Sequence, residues 1–261
     1  MPSPRVLLLR APGTNCDEET SYAFEAAGGH CQTLHLNRIL ESPNELDQAQ
    51  VLCLPGGFSF GDDVGAGVLF ADRLAGLRDR MRSLLDRGGL ILGICNGFQV
   101  LMNLGLLGEG ETSATLTWNR SGRYDARWVS LRTVATHNVF LAGLDRYEWP
   151  IAHAEGRLAV AESVDLSDWH NRGLVGLAYC GDTGSRYEAA AAPLPVPANP
   201  NGSVGNIAGL SNEAGTVLGL MPHPERAIRR THHPAWTRLP ADCGPMPGLR
   251  LFQNATDYFR Q

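Results

Sequence analysis

A cysteine stands between two glycines in Gly93-Ile94-Cys95-Asn96-Gly97, at the junction of the apolar run Gly89–Cys95 and the segment Asn96–Leu104, whose apolar residues recur at helical intervals. That arrangement reads as a nucleophile elbow with sulfur in place of oxygen. Glycines on either side let two backbone segments approach in a tight turn, the side chain is thrust out of the sheet, and a helix N-terminus stabilises an anion placed there. A thiol that merely fills space beneath a helix has the same local sequence, so the elbow needs partners before it reads as chemistry.

Met221-Pro222-His223-Pro224-Glu225-Arg226 offers them, directly after the strand-like Thr216–Leu220. Pro224 biases His223 toward an extended backbone, where residues two apart share a face, so His223 and Glu225 are expected to point the same way. A histidine beside a cysteine acts as its general base and then as the acid for a leaving amine, while a carboxylate fixes the imidazole tautomer. Cys95, His223 and Glu225 together read as a triad for acyl transfer. The tetrahedral oxyanion then needs donors, and the amides of Gly57, in Pro55-Gly-Gly-Phe-Ser59, and of Asn96 are the natural pair. A dinucleotide-binding loop would need a GxGxxG, which is absent.

No cofactor is expected in this chain, and composition narrows the chemistry further. At 261 residues with 43% hydrophobic content, the chain can bury roughly 70 to 75% of its unfolded surface, and a single domain over 1–261 is expected. The net charge of -5 gives no basic field for nucleic acid. All 22 cationic residues are arginine, which removes Schiff-base and phosphate-loop lysine chemistry. No apolar stretch approaches the roughly 20 residues of a membrane span, and Met1–Arg10 lacks a signal-peptide pattern, so a cytoplasmic protein is expected. Cys16, Cys31, Cys53, Cys95, Cys180 and Cys243 are scattered without a CxxC pair; neither a metal site nor a disulfide framework is expected, and most of them read as buried thiols.

The elements that must carry these residues alternate. Arg5–Arg10 reads as a strand, Asp17–Ala27 as a helix, Gln32–Leu36 and Val51–Pro55 as strands, Leu69–Arg87 as helical, then the elbow's own strand and helix. This is the pattern of a largely parallel sheet flanked by helices. Beyond Gly105, the β-like pieces Arg127–Val134, Leu158–Val160, Leu174–Tyr179 and Val217–Met221 suggest added antiparallel strands. Ala189–Pro200 reads as an exposed connection, Asn201-Gly202 as a turn, and Gly248–Arg260 as a closing helix.

Gly93-Ile-Cys-Asn-Gly-Phe-Gln99 and His223-Pro-Glu225 resemble the elbow and late motif of the class I, triad-type glutamine amidotransferases. More narrowly, the chain is similar to the family of glutaminase subunits of phosphoribosylformylglycinamidine synthase. Pro55-Gly-Gly-Phe-Ser-Phe-Gly-Asp62, Arg123–Val129, Ile151-Ala-His-Ala-Glu-Gly-Arg157 and Asn199-Pro-Asn-Gly-Ser203 carry that likeness, in the family's order. The resemblance implies a flavodoxin-like sheet, a γ-glutamyl thioester on Cys95, and L-glutamine bound near Gln99, Asn138 and Phe140. It places His153 and Glu155 close to the site without making them triad members. It further implies a partner synthetase subunit carrying ATP and Mg, a small third subunit, and a role in purine biosynthesis. Asp63-Val-Gly65 and Ala154 depart from the family pattern, and the extra segments Ala189–Pro197 and Arg229–Pro247 have no assigned role; His232 and His233 in the latter read as solvated loop histidines. Three readings stay open beside this one: the glutaminase subunit of another amidotransferase, a cysteine hydrolase on the same type of sheet, and a scaffold that lost its chemistry.

Overall fold

A computed structural model describes residues 3–108, 113–181, 187–189, 192–239 and 244–260. Cys243 and parts of the two extra segments lie outside the described residues.

The first half winds as β1 (Arg5–Arg10), α1 (Asp17–Ala26), β2 (His30–His35), α2 (Leu36–Glu41), β3 (Val51–Leu54), α3 (Val68–Leu74), α4 (Arg78–Asp86), β4 (Leu90–Ile94) and α5 (Asn96–Asn103). The remainder adds β5 (Ala114–Trp118), β6 (Asp125–Thr133), β7 (Arg146–His153), β8 (Glu155–Val160), α6 (Leu166–Asn171), β9 (Val175–Tyr179), β10 (Ile207–Ser211), β11 (Val217–Leu220) and α7 (Pro247–Tyr258). Among the described residues, one nine-stranded sheet runs in the order β2-β1-β3-β4-β11-β10-β9-β6-β7. From β2 to β11 its pairings are parallel; beyond β11 they are antiparallel. Every residue of β3, β4 and β11 is buried, as strands covered on both faces must be. The expected mixed α/β architecture is present, and β5 and β8 form a separate antiparallel ribbon.

The helical stretch expected over Leu69–Arg87 is broken into α3 and α4 by a 3₁₀ turn at Ala75–Leu77, beside Gly76. The expected exposed connection is only partly so. Asn199, Asn201 and Ser203 are buried, and Asn201 Nδ2 donates to the Gly156 carbonyl (2.7 Å) and the Tyr179 hydroxyl (3.2 Å), tying this loop to β8 and β9. His233 is not a solvated loop histidine either: it lies edge-on to Trp128 with ring centroids 4.7 Å apart, and its Nε2 is 3.0 Å from Glu148 Oε2. His232 is exposed, as expected.

Backbone proximity at the β4–α5 junction is the tightest requirement of the fold. A Cβ on Gly97 would lie 1.9 Å from the Leu54 carbonyl oxygen at the end of β3, and one on Gly93 would lie 2.6 Å from the Gly97 oxygen. Neither neighbour can move, because both are main chain of buried elements. Gly97→Ala is therefore expected to destabilise the protein by about 3 kcal/mol, the upper range for overpacking a close-packed core. Urea unfolding checks it; a midpoint within error of the parent would show that α5 can lift off β3 freely.

Candidate active site

Cys95 sits where β4 stops and α5 starts, with φ 50° and ψ −104°. A non-glycine residue in that region costs of order 1–3 kcal/mol and persists only when its surroundings over-determine it. Here they do. The Cys95 N–H donates to the Leu220 carbonyl of β11 at 2.7 Å, and its own carbonyl accepts from Phe98 and Gln99 as the first turn of α5. The sulfur is thereby held off the carboxyl edge of the sheet, 3.9 Å from the Ala152 carbonyl.

His223 follows β11, the strand paired with β4, and is fixed by its N–H to the Pro150 carbonyl of β7 (2.8 Å). The backbone does not stay extended through the motif: Pro224 opens a 3₁₀ turn over Pro224–Ala227. That turn still delivers Glu225, whose Oε1 accepts from His223 Nδ1 at 2.5 Å. Both side chains are buried. Burial alone would push the imidazolium pKa down, but the Glu225 carboxylate, then the Cys95 and Cys16 sulfurs, outweigh it and hold the ring well above its ordinary value. Because Nδ1 is engaged by Glu225, Nε2 is the nitrogen left for chemistry, and it has no partner.

A second thiol lies on this histidine. Cys16, just after β1, takes a contact from Arg226 Nη2 at 3.0 Å and interacts with His223. Gly56 keeps the space open, since a Cβ there would lie 2.8 Å from His223 Cε1 and 3.1 Å from Cys16 Sγ. Donor atoms of Cys16, His223 and Glu225 all fall within 4.8 Å of one another, a spacing that suits a metal. Nδ1 and Oε1 are already taken up by their mutual hydrogen bond, and Cys16 Sγ by the Arg226 guanidinium, while His223 Nε2 and Glu225 Oε2 have no partner.

Beside the sulfur opens a cavity of about 250 Å³, with Gly57, Asp62, Gln99, Trp118, His153 and Glu155 in its wall. Asn96 holds two of its wall residues: its Nδ2 donates to Asp62 Oδ1 (3.2 Å) and Gln99 Oε1 (3.0 Å), and its Oδ1 accepts from the Ser59 N–H. Gln99 Nε2 donates in turn to the Glu155 carbonyl (2.5 Å). Gly57 (φ 146°) forms an isolated bridge with Thr14 whose hydrogen bonds run through Phe58 and Cys16, leaving the Gly57 N–H out of it. Phe58 and Tyr124, rings 6.3 Å apart, and Trp118 stand exposed.

Of the residues expected from sequence, Cys95, His223, Glu225, Gly57, Asn96 and Gln99 converge here. Asn138 and Phe140 do not. Asn138 Nδ2 donates to the Ser211 hydroxyl and the Val217 carbonyl, and its Oδ1 caps the turn at Phe140. Val217 pairs with Ile91, three residues before Ile94, so Asn138 lies roughly 10 Å down the strands from the elbow, at the opposite edge of the sheet. Both residues are fully buried and bind the core together. Sequence reasoning missed Cys16, Asp62, Asn119 and Arg226. Cys16 alone had a readable signal, since it ends a loop at the carboxyl edge of a parallel strand, where such sheets build their sites.

Residues 3–259 match the family model of the CobB/CobQ-like glutamine amidotransferase domain. The chain belongs to this glutamine amidotransferase family. Within it, a protein of Dehalococcoides mccartyi named phosphoribosylformylglycinamidine synthase subunit PurQ is 40% identical over 100% of both chains. A Methanococcus maripaludis protein of the same name is 35% identical, over 99% of this chain and 98% of its own. The structure of PurLQS from Thermotoga maritima contains a chain that superposes with a TM-score of 0.73 at 31% identity, covering 98% of this amidotransferase and 99% of that chain.

The raised pKa of His223 has a checkable consequence. Because the folded value lies above the unfolded one of roughly 6.5, this group stabilises the fold below that pH, and the contribution is lost as pH rises through the folded value. In Glu225→Gln the largest charge opposing burial is gone, so the ring should titrate lower than in the parent. NMR titration of the His223 ring tests this, and an unchanged midpoint would show that Glu225 does not hold the charge.

Proposed function

We propose that this chain is the glutaminase subunit of a phosphoribosylformylglycinamidine synthase. It hydrolyses L-glutamine and supplies the ammonia to a synthetase subunit, which converts formylglycinamide ribonucleotide to formylglycinamidine ribonucleotide with ATP in de novo purine (IMP) biosynthesis. The observation that carries the reading is the strained Cys95 elbow set against a buried His223–Glu225 pair, in a chain matching PurQ proteins end to end.

The chemistry follows from the geometry. Cys95 Sγ gives its proton to His223 Nε2 and attacks the side-chain amide carbon of glutamine, and the carbonyl oxygen becomes an oxyanion that accepts from the N–H groups of Gly57 and Asn96. As the C–N bond breaks, His223 passes a proton from Nε2 to the departing nitrogen, which leaves as ammonia. A γ-glutamyl thioester remains on Cys95. Water attacks it with His223 as base, the sulfur departs, and glutamate is released. Glu225 keeps the ring in place through both halves. Gln99 acts as framework as much as contact, because both ends of its amide are engaged within the protein.

ATP and Mg belong to the synthetase subunit in this proposal, and a small third subunit completes the assembly. A single amidotransferase domain over 1–261 and a cytoplasmic location are parts of the same reading. The pairing of β4 with β11 supports the first, by joining early and late chain in one sheet. No helix among the described residues is long and apolar enough to cross a membrane.

Cys95→Ala in complex with the synthetase is expected to lose glutamine-dependent synthesis by at least about 10⁴-fold while ammonia-dependent synthesis continues. Product formation with each nitrogen source measures it. Glutamine-dependent synthesis that survives the substitution would defeat the reading.

A further inference from the structure

Arg226 follows Glu225 directly, and the two side chains are close without being paired. The buried carboxylate gives Oε1 to His223 Nδ1, while its Oε2 has no partner. A buried carboxylate oxygen without a donor costs free energy, and a guanidinium is the side chain that satisfies both oxygens at once, through a fork of parallel N–H groups. Arg226 Nε already stands 3.9 Å from Oε1. An inward shift of about 1 Å would complete the fork and put a permanent cation on the carboxylate that serves the histidine. Glu225 would then hold the imidazole less firmly in its tautomer and lend less support to its proton.

The guanidinium is drawn the other way. Its Nη2 donates to Cys16 Sγ at 3.0 Å and to Glu19 Oε1 at 3.4 Å, at the start of α1. Cys16 is a fixed point: it is buried, its N–H donates to the Gly56 carbonyl (3.2 Å), and its carbonyl accepts from the Thr20 N–H (3.2 Å) and hydroxyl (2.6 Å). Its S–H is committed to Asn15 Oδ1 at 3.3 Å, which leaves the sulfur lone pairs for Arg226. Burial, ahead of every charge around it, pushes the thiol up, so the sulfur stays a neutral acceptor. It anchors the guanidinium without adding a charge beside the catalytic pair.

We infer that Cys16 is a positioning residue for the reaction at Cys95: together with Glu19 it holds the Arg226 guanidinium off the Glu225 carboxylate, so that this carboxylate serves His223. The inference rests on the glutaminase reading and adds a residue that acts through Arg226 and Glu225. Several groups face the His223 ring: Glu225 on its own turn, Cys95 at the start of α5 and Cys16 at the start of α1, with His153 at the end of β7 and Tyr124 before β6 within electrostatic range. Among them Glu225 contributes the largest support to the ring's proton, which is why a competitor for Glu225 matters most.

Two readouts test this: ammonia release from glutamine by the chain assembled with its synthetase, and NMR titration of the His223 ring. Cys16→Ala is expected to lower kcat about tenfold with KM within about threefold of the parent, and to bring the His223 midpoint down by about one pH unit, the same factor in a proton equilibrium. Cys16→Ser keeps an acceptor for the guanidinium and should recover most of both losses. The deciding variant adds Arg226→Met to Cys16→Ala. With no guanidinium left to reach Glu225, the midpoint should regain at least about half of the lost unit and kcat at least about threefold. A sulfur that only packed against the ring would give the same losses in Cys16→Ala but no recovery, and that result overturns the inference, as does a His223 midpoint unmoved in Cys16→Ala. Where alanine leaves a cavity that unfolds the chain, Cys16→Val with and without Arg226→Met makes the same comparison. If the unaltered complex releases no ammonia from glutamine, the glutaminase reading itself falls, while the titration still judges what Cys16 does to Arg226.

Discussion

The contact between the Leu54 carbonyl and the face of α5 at Gly97 is the constraint on which the rest of the site depends. It lets the helix start directly beneath the ends of β3 and β4, and a helix that starts there leaves the Cys95 backbone no unstrained conformation. The hydrogen bond from Cys95 to Leu220 makes β11 a party to the same strain. From that one junction follow the outward sulfur, the free amide of Asn96 beside it, and the arrival of His223 just past the end of the neighbouring strand.

Charge is organised around this junction in two separate groups. On one side Glu225, His223, Cys16 and Arg226 alternate in sign or proton demand, so that the buried carboxylate is matched. On the other, Asp62 and Glu155 make no ion pair among the described residues, and His153 is kept neutral by burial first and by the His223 charge next. Two histidines at the same site thus have opposite tendencies to hold a proton. Their neighbours set the difference: a carboxylate touches one ring and an amide oxygen touches the other.

Much of this was legible in the residues. Cys95, His223 and Glu225 announce themselves because their chemistry needs local motifs, and the parallel half of the sheet because doubly covered strands are unbroken apolar runs. The strand β7 was hidden by Pro150 and by alternating charged residues on its open face, and β10 by its brevity and central Gly209. Asn138 and Phe140 were expected from the family resemblance alone, whereas the three hydrogen bonds of Asn138 serve the core. Asn119, whose Oδ1 faces His153 Nδ1 at 3.0 Å, lies after a strand with half-exposed threonines and has no signal of its own. Its role exists only once the β5–β8 ribbon has folded over β7.

The pairing of β4 with β11 also orders events in time. Strand β4 and its cysteine leave the ribosome early, while β11 and the histidine that follows it emerge close to the end of synthesis. Between them comes the whole antiparallel half, which must be threaded beside β11 before the sheet closes. Such distant pairings form late in folding, because their loop-closure entropy must be met first. Cys95 therefore meets its base only in a nearly complete chain, so a truncated or half-folded copy carries a thiol but no glutaminase.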